Sequence, residues 1–214
     1  MNDNAAQLEI EVKFHLPDPE AMADRLTAMG ARARPVHFET NLCFDDADRH
    51  LFRSGRLLRL RRDDQCRLTY KERPDPATDQ FKVVNELEVT VDDFDTMRTI
   101  LHRLGYHTAR TYEKWRQTFE WQQLHFCLDN LPFGHFLEIE APGADIRSAA
   151  RALDLPWSER IIKNYLAIFE ILRSGMNLPF SDVTFDLFKH HPVDLTSYLP
   201  LLQVTTRHGT PDVQ

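Results

Sequence analysis

The feature that most limits how this chain can fold is a set of like-charged pairs, spaced two residues apart inside runs of strand character. Glu9 and Glu11 stand in LEIEVKF, Glu86 and Glu88 in NELEV, Glu138 and Glu140 in FLEIE. Basic pairs are built the same way: Arg59 and Arg61 in LRLRR, Lys114 and Arg116 in KWRQ. Lys13, Lys71 and Asp129 stand in runs of the same kind. In a strand, residues i and i+2 share a face and lie about 6.6 Å apart, so each pair points both charges one way. The intervening residues are apolar: Ile10 and Val12, Leu58 and Leu60, Leu87 and Val89, Leu137 and Ile139. That face needs cover, and helices elsewhere in the chain can give it. An open sheet with a solvated charged face is one solution. Yet acids gather on some strands and bases on others, and exposed like charges repel without compensation. If the sheet closes on itself, acids and bases face each other across a water-filled lumen, since burying so many charges dry would be too costly. Such an interior calls for ions or a charged ligand. Paired carboxylates suit hard divalent cations such as Mg2+ or Mn2+, and Arg and Lys suit phosphate oxygens. Together they describe a polyphosphate site.

The rest of the chain supplies the elements around such a sheet. Residues 16–31 read as a helix with Asp18 as N-cap, Pro19 at the first helical position and Gly30 after the last turn. Strand-like runs follow at 39–46, 55–62, 66–72 and 83–91, with the polar, proline-containing stretch 73–80 as a connection between the last two. A second helix over 92–106 takes Asp92 or Asp93 as cap and closes at Gly105; three further strands read at 111–121, 124–131 and 135–141. Helices are then predicted over 145–155 and over 158–175, the latter capped by Ser158 and ended by Gly175. Strand–helix order repeats at 8–30 and 84–105, each opening on Glu-x-Glu, as two halves of a closed antiparallel sheet would. From Met176 the character changes, which divides the chain into residues 1–175 and an extension over 176–214 holding a short helix and a loose tail.

Composition narrows the partners. The formal net charge of −7 does not favour a nucleic-acid backbone. No stretch approaches the roughly 18 to 20 apolar residues that span a bilayer, and the first residues lack the basic start and apolar run of a signal peptide, so a cytoplasmic location is the expectation. Cys43, Cys66 and Cys127 are odd in number and far apart, as reduced structural thiols are. His190-His191 precedes Pro192 and reads as loop, and nothing fits a Gly-rich phosphate loop, so phosphate binding must rely on side chains.

The ordered set of motifs resembles one family. Glu9-x-Glu11-x-Lys13 resembles the ExExK motif of the CYTH superfamily, the triphosphate tunnel metalloenzymes. NLCFDD, LFRSGRLLRLRR, CRLTYKE, NELEV, EKWRQTF, CLDNLPFGHFLEIE and KNYLAIFEIL follow in the family order, over roughly residues 8–172. The resemblance implies an α+β fold: a closed eight-stranded antiparallel β-barrel tunnel with helices packed outside. It implies that Glu9, Glu11, Glu138 and Glu140 hold Mg2+ or Mn2+, with Asp129 and Glu88 adding a ligand or orienting water. Lys13, Arg59, Arg61, Lys71, Lys114 and Arg116 would grip the triphosphate. Lys163, on the last long helix, is either a further phosphate contact that shares in catalysis with Lys13 and Glu88, or an exposed helix lysine. For Glu86 a salt bridge to a neighbouring Arg is the reading. The implied activity is divalent-metal-dependent hydrolysis of inorganic triphosphate, thiamine triphosphate or a nucleoside triphosphate. The alternatives are a class IV adenylyl cyclase, making cyclic AMP and pyrophosphate from ATP, and a non-catalytic polyphosphate or nucleotide sensor. Cyclase-like members carry Ser-Tyr where this chain reads Lys163-Asn164-Tyr165, a departure that favours hydrolysis. The implied ligand is a small-molecule triphosphate or nucleotide, with neither nucleic acid nor membrane, and a homodimer is consistent with the family.

Overall fold

The protein is described by a computed structural model covering residues 7–74 and 80–204. Nine strands carry the alternation: β1 (Gln7–His15), β2 (Arg32–Ala33), β3 (His37–Asp45), β4 (Leu57–Arg62), β5 (Cys66–Glu72), β6 (Lys82–Val91), β7 (His107–Trp121), β8 (Leu124–Leu131) and β9 (Gly134–Glu140). The described helices are α1 (Pro19–Ala28), α2 (His50–Arg53), α3 (Phe94–Arg103), α4 (Gly143–Ala152), α5 (Tyr165–Met176), α6 (Phe185–Phe188) and α7 (Leu199–Leu202). Pairing runs β7-β3-β4-β5-β6-β1-β9-β8 and returns from β8 to β7, so eight antiparallel strands close a barrel, and the two-residue β2 adds to the far end of β7. The two strand–helix units of similar order meet in this ring, because β1 pairs with β6.

Closure is what turns period-two alternation into an inside and an outside. Val12, Phe14, Leu137 and Ile139 face outward and are buried with Leu26 of α1 and Ile146 and Ala150 of α4. Leu60 lies under Phe94 and Leu101 of α3. Asp18 caps α1 by accepting the Ala21 N–H, and Asp93 rather than Asp92 caps α3 through the Thr96 N–H. Gly30 and Gly105, both at φ +92°, supply the left-handed residue after each helix.

Three expectations need correction. Leu87 and Val89, expected under helices, are about half exposed, since no described helix packs over that part of β6. The helix expected from Ser158 is broken: residues Trp157–Glu159 form a short 3-10 turn, and Ile161 bridges to Lys13 with backbone bonds of 2.9 and 2.8 Å. Those bonds hold the chain extended there, so α5 starts later, with Asn164 as N-cap accepting the Ala167 N–H. Gly175 lies inside α5, which ends at Asn177 in the left-handed region (φ 52°).

The extension is part of the structure through residue 204. Leu178, Val183, Phe188, Leu195 and Leu202 share one core cluster with Ile168, Phe169 and Leu172 of α5. β8 reaches β7 only from Trp115 onward, and the free edge just before it is taken by Val183, which bonds Thr111 and Glu113 at 2.8 Å each. His190 and His191 lie in a turn and bend, as expected of a loop. The expected tail and most of the connection over 73–80 fall outside the described residues.

Candidate active site: a charged lumen

Every inward position follows from strand parity and register. β1 contributes Glu9, Glu11 and Lys13; opposite them stand Lys82 and Val84 of β6 and Glu138 and Glu140 of β9. Arg59 of β4 pairs with Thr69 of β5, which pairs with Glu88 of β6; Lys71 pairs with Glu86. Lys114 of β7 faces Glu39 of β3, and Arg116 faces Asp129 of β8. All of these but Val84, Thr69, Glu39 and Asp129 line a cavity of about 290 Å³, with Tyr165 and Asn164 from the start of α5 at one side.

The charges sort into two walls. On one, carboxylate oxygens of Glu9, Glu11 and Glu140 lie within 4.8 Å of one another. Burial, and then the charges of Glu11, Glu138 and Glu9, push the Glu140 carboxyl up to about 7. Burial also opposes ionisation of Glu11, but Lys13 and Lys82 outweigh it and hold its carboxyl below the usual range. Lys82 Nζ lies 2.9 Å from Glu11, and Lys13, fully buried, bonds Glu11 and lies 3.1 Å from Glu138. Burial would neutralise Lys13; those two carboxylates instead keep it charged, above the ordinary lysine value. Lys82 is the opposite case: burial, with Lys13 and Lys71 nearby, lowers it.

On the other wall the bases dominate. Asp129 accepts from Lys114 Nζ (3.0 Å), Arg116 Nε (2.6 Å) and Nη2 (2.5 Å), and the Tyr165 hydroxyl (2.7 Å). The Tyr165 ring lies under Lys13 and Lys114, 5.1 and 5.2 Å from its centroid. Glu39, buried completely, stands 3.6 Å from Lys114, 3.7 Å from Arg61 and 3.9 Å from Arg116. Burial works against its ionisation, yet these bases hold it well below the usual carboxylate range. Arg59 donates to Tyr112 (3.1 Å) and Thr69 (3.3 Å), while its buried Nε has no acceptor. Glu88 accepts from the Thr69 hydroxyl at 2.8 Å and lies 3.6 to 3.9 Å from Arg61, Arg67 and Arg59.

Of the residues singled out in the sequence, Glu9, Glu11, Lys13, Arg59, Arg61, Lys71, Glu88, Lys114, Arg116, Glu138 and Glu140 all line this cavity. Asp129 stands behind them, its oxygens spent on two bases and a hydroxyl, outside the converging carboxylate trio. Glu138 is engaged by Lys13 and Arg116. Glu86 finds a salt bridge, but to Lys71 rather than an arginine. Lys163 does not reach the lumen: its ammonium donates to the Leu202 carbonyl at 3.3 Å. Lys82 and Tyr165, which line the lumen, and Glu39, buried behind its basic wall, carried no assignment. Lys82 is in phase with Glu86 and Glu88, so a strand begun one residue earlier would have found it. Glu39 is a single acid with no like-charged partner two residues away, and its role appears only when β3 meets β7.

The donor set fits a divalent cation at the trio: three hard oxygen donors converge, and burial followed by the neighbouring carboxylates makes one of them, Glu140, reluctant to ionise without a cation. The acceptor-free Arg59 Nε fits an anion beside it. A family model, the CYTH domain, matches residues 7–168. The chain belongs to the CYTH family. A protein of Methanocaldococcus jannaschii named "Putative adenylate cyclase" is 27% identical over 150 residues, 69% of this chain and 84% of its own length. Among solved structures, a Pyrococcus horikoshii protein is similar at 27% identity and TM-score 0.64, covering 73% of this chain and 96% of that one. A Hippeastrum protein, named a putative adenylyl cyclase and said to reveal a dominant triphosphatase activity, is similar in fold at 21% identity and TM-score 0.58, covering 86% and 99%.

Proposed function

We propose that this CYTH-family chain hydrolyses a triphosphate-containing substrate inside the barrel with the help of Mg2+ or Mn2+. The observation that carries the reading is the two-walled lumen: converging Glu9, Glu11 and Glu140 on one side, and Lys13, Arg59, Arg61, Lys71, Lys114 and Arg116 around the rest. A divalent cation held by the trio supplies charge neutralisation at the phosphate oxygens. The bases take the other non-bridging oxygens, Arg59 through its unsatisfied Nε, and spread the charge that builds on the transferring phosphoryl group. Water attacks the terminal phosphorus, the bond from that phosphorus to the bridging oxygen breaks, and diphosphate leaves with the bond's electron pair. Glu88, the most exposed of the carboxylates that line the lumen, takes the proton that water gives up. Asp129 and Tyr165 act at one remove by fixing Lys114 and Arg116.

The names of the similar proteins favour a second reading, an adenylyl cyclase in which the ribose 3′-hydroxyl attacks the α-phosphorus and pyrophosphate leaves. Product analysis separates the two. With Mg2+ or Mn2+ and ATP, inorganic triphosphate or thiamine triphosphate in turn, orthophosphate is expected; cyclic AMP with pyrophosphate would replace the hydrolase reading by the cyclase. Binding without turnover would leave a sensor.

A further inference from the structure

A second cavity of about 540 Å³ opens beside the lumen, where β3 and β5 end, β4, β6 and β7 begin, and α5 crosses the rim. It shares Leu57, Lys71, Lys82, Asn164 and Leu166 with the lumen, so the two are continuous. Its walls are different in kind. Phe52, Leu57, Val84, Ile162, Leu166 and Ile171 make it largely apolar. Phe52 is 64% exposed, with the Arg49 guanidinium 4.5 Å from its ring centroid. Asp45, buried, fixes the short helix that carries it by accepting the Leu51 and Phe52 N–H groups at 3.0 and 2.9 Å. The opposite mouth, where β3 begins and β4 ends, holds the ion-paired His37, Glu39, Arg61 and Asp63.

The charge of this vestibule is one-sided. Arg49, Arg56, Arg73, Arg110 and Lys163 line it, against Asp45 and Glu170. Both carboxylates are occupied, Asp45 by backbone N–H groups and Glu170 by Arg110 (3.0 Å) and Arg173 (2.8 Å). We infer that the vestibule seats the non-phosphate half of the substrate, and that it selects a flat, uncharged or acidic organic group, as in a nucleoside triphosphate, over a cationic one. The inference rests on the proposed function in placing the phosphates in the lumen. An apolar wall and an exposed aromatic ring gain nothing from inorganic triphosphate, whereas a base stacked on Phe52 removes both surfaces from water. A positive vestibule, with no free carboxylate among the described residues that line it, repels the thiazolium of thiamine triphosphate.

The test is titration calorimetry with Mg2+ and three non-hydrolysable ligands: β,γ-methylene ATP and the corresponding methylene-bridged analogues of inorganic triphosphate and thiamine triphosphate. The nucleotide is expected to bind about tenfold more tightly than either. Phe52→Ala should weaken nucleotide binding about tenfold, shift inorganic triphosphate less than twofold, and be rescued by Phe52→Trp. Inorganic or thiamine triphosphate binding as tightly as the nucleotide, or Phe52→Ala weakening all three alike, would overturn the vestibule assignment even if hydrolysis is observed. Conversely, the expected binding ratios with no phosphate release from any of the three parent triphosphates would sink the hydrolase reading and leave the vestibule standing.

Discussion

Asp129 is the residue whose replacement best separates an anchor of the basic wall from a metal ligand. It is buried and accepts from Lys114, Arg116 and Tyr165, so Asp129→Asn removes the charge that two buried cations lean on while keeping the side-chain shape. At 3.0 Å and an effective dielectric of about 20, each ion contact is worth roughly 5 kcal/mol gross. Desolvation cancels much of that, and loss of one partner from a buried pair costs about 3–5 kcal/mol. Glu39 and Glu138 still face the two cations, which puts the expected loss near the lower figure, about 3 kcal/mol. For a chain of this size that is a fall in Tm of roughly 6–12 °C. Differential scanning calorimetry without metal measures it. The Mg2+ concentration for half-maximal activity should stay within about twofold of wild type, because Asp129 is not in the trio. A Tm within 1 °C of wild type together with a Mg2+ requirement raised tenfold would show that Asp129 is a metal ligand and that the basic wall stands without it.

Three further outcomes follow from the same geometry. Glu140, raised from 4.5 to about 7, keeps a proton in the folded metal-free protein that the unfolded chain has lost, so metal-free stability should fall as pH rises from 4.5 to 7. Over the lower part of that range Mg2+ must displace the proton, so its apparent affinity should rise with pH up to about 7 and level off above; Glu140→Gln should flatten both profiles in calorimetric titrations. A methyl group on Gly175 would overlap the Tyr198 ring, so Gly175→Ala should cost about 1–3 kcal/mol, read as a lower Tm and faster proteolysis beyond Met176, with KM for the triphosphate unchanged. On the uncovered part of β6, Leu87→Thr with Val89→Thr should change stability by no more than about 0.5 kcal/mol, whereas Leu137→Ala, fully buried, should cost about 2–5 kcal/mol in urea unfolding.

The sequence makes the barrel legible because a period of two fixes which residues share a face, and like charges on one face are costly unless something answers them. Lys13, Arg59 and Glu138 could be placed inside on that ground alone, before any strand partner was known. Phase does not say how far apart two strands sit around the ring. For Asp129, phase gives an inward position and only the resemblance implies a ligand or water-orienting role beside the glutamates; β8 delivers it to Arg116 of β7. The entry to α5 escapes the argument altogether: Lys163 and Tyr165 are two apart, and the Ile161 bridge to β1 ends the extended chain just before them, from where the tyrosine bonds Asp129 and the lysine turns to Leu202. The same logic assigned cover to Leu87 and Val89, which alternation marks as outward but cannot show to be covered.

The Glu11–Lys13 pairing has a consequence for the order of events. With no ligand, the lumen neutralises itself: Glu11 is held by Lys13 and Lys82, and Glu138 by Lys13 and Arg116. A lone cation that takes Glu11 costs Lys82 its ion pair and leaves Lys13 with Glu138 alone, and a lone polyanion that takes Lys13 leaves Glu11 with Lys82 alone and Glu138 with Arg116 alone. Each cost is removed if the other arrives with it. The interior thus behaves as an exchanger of ion pairs, trading its own salt for an incoming one. If the chain takes Mg2+ and a triphosphate as proposed, the two ligands are thermodynamically linked, each raising affinity for the other by the same factor, and the preformed magnesium salt of the triphosphate is the expected guest.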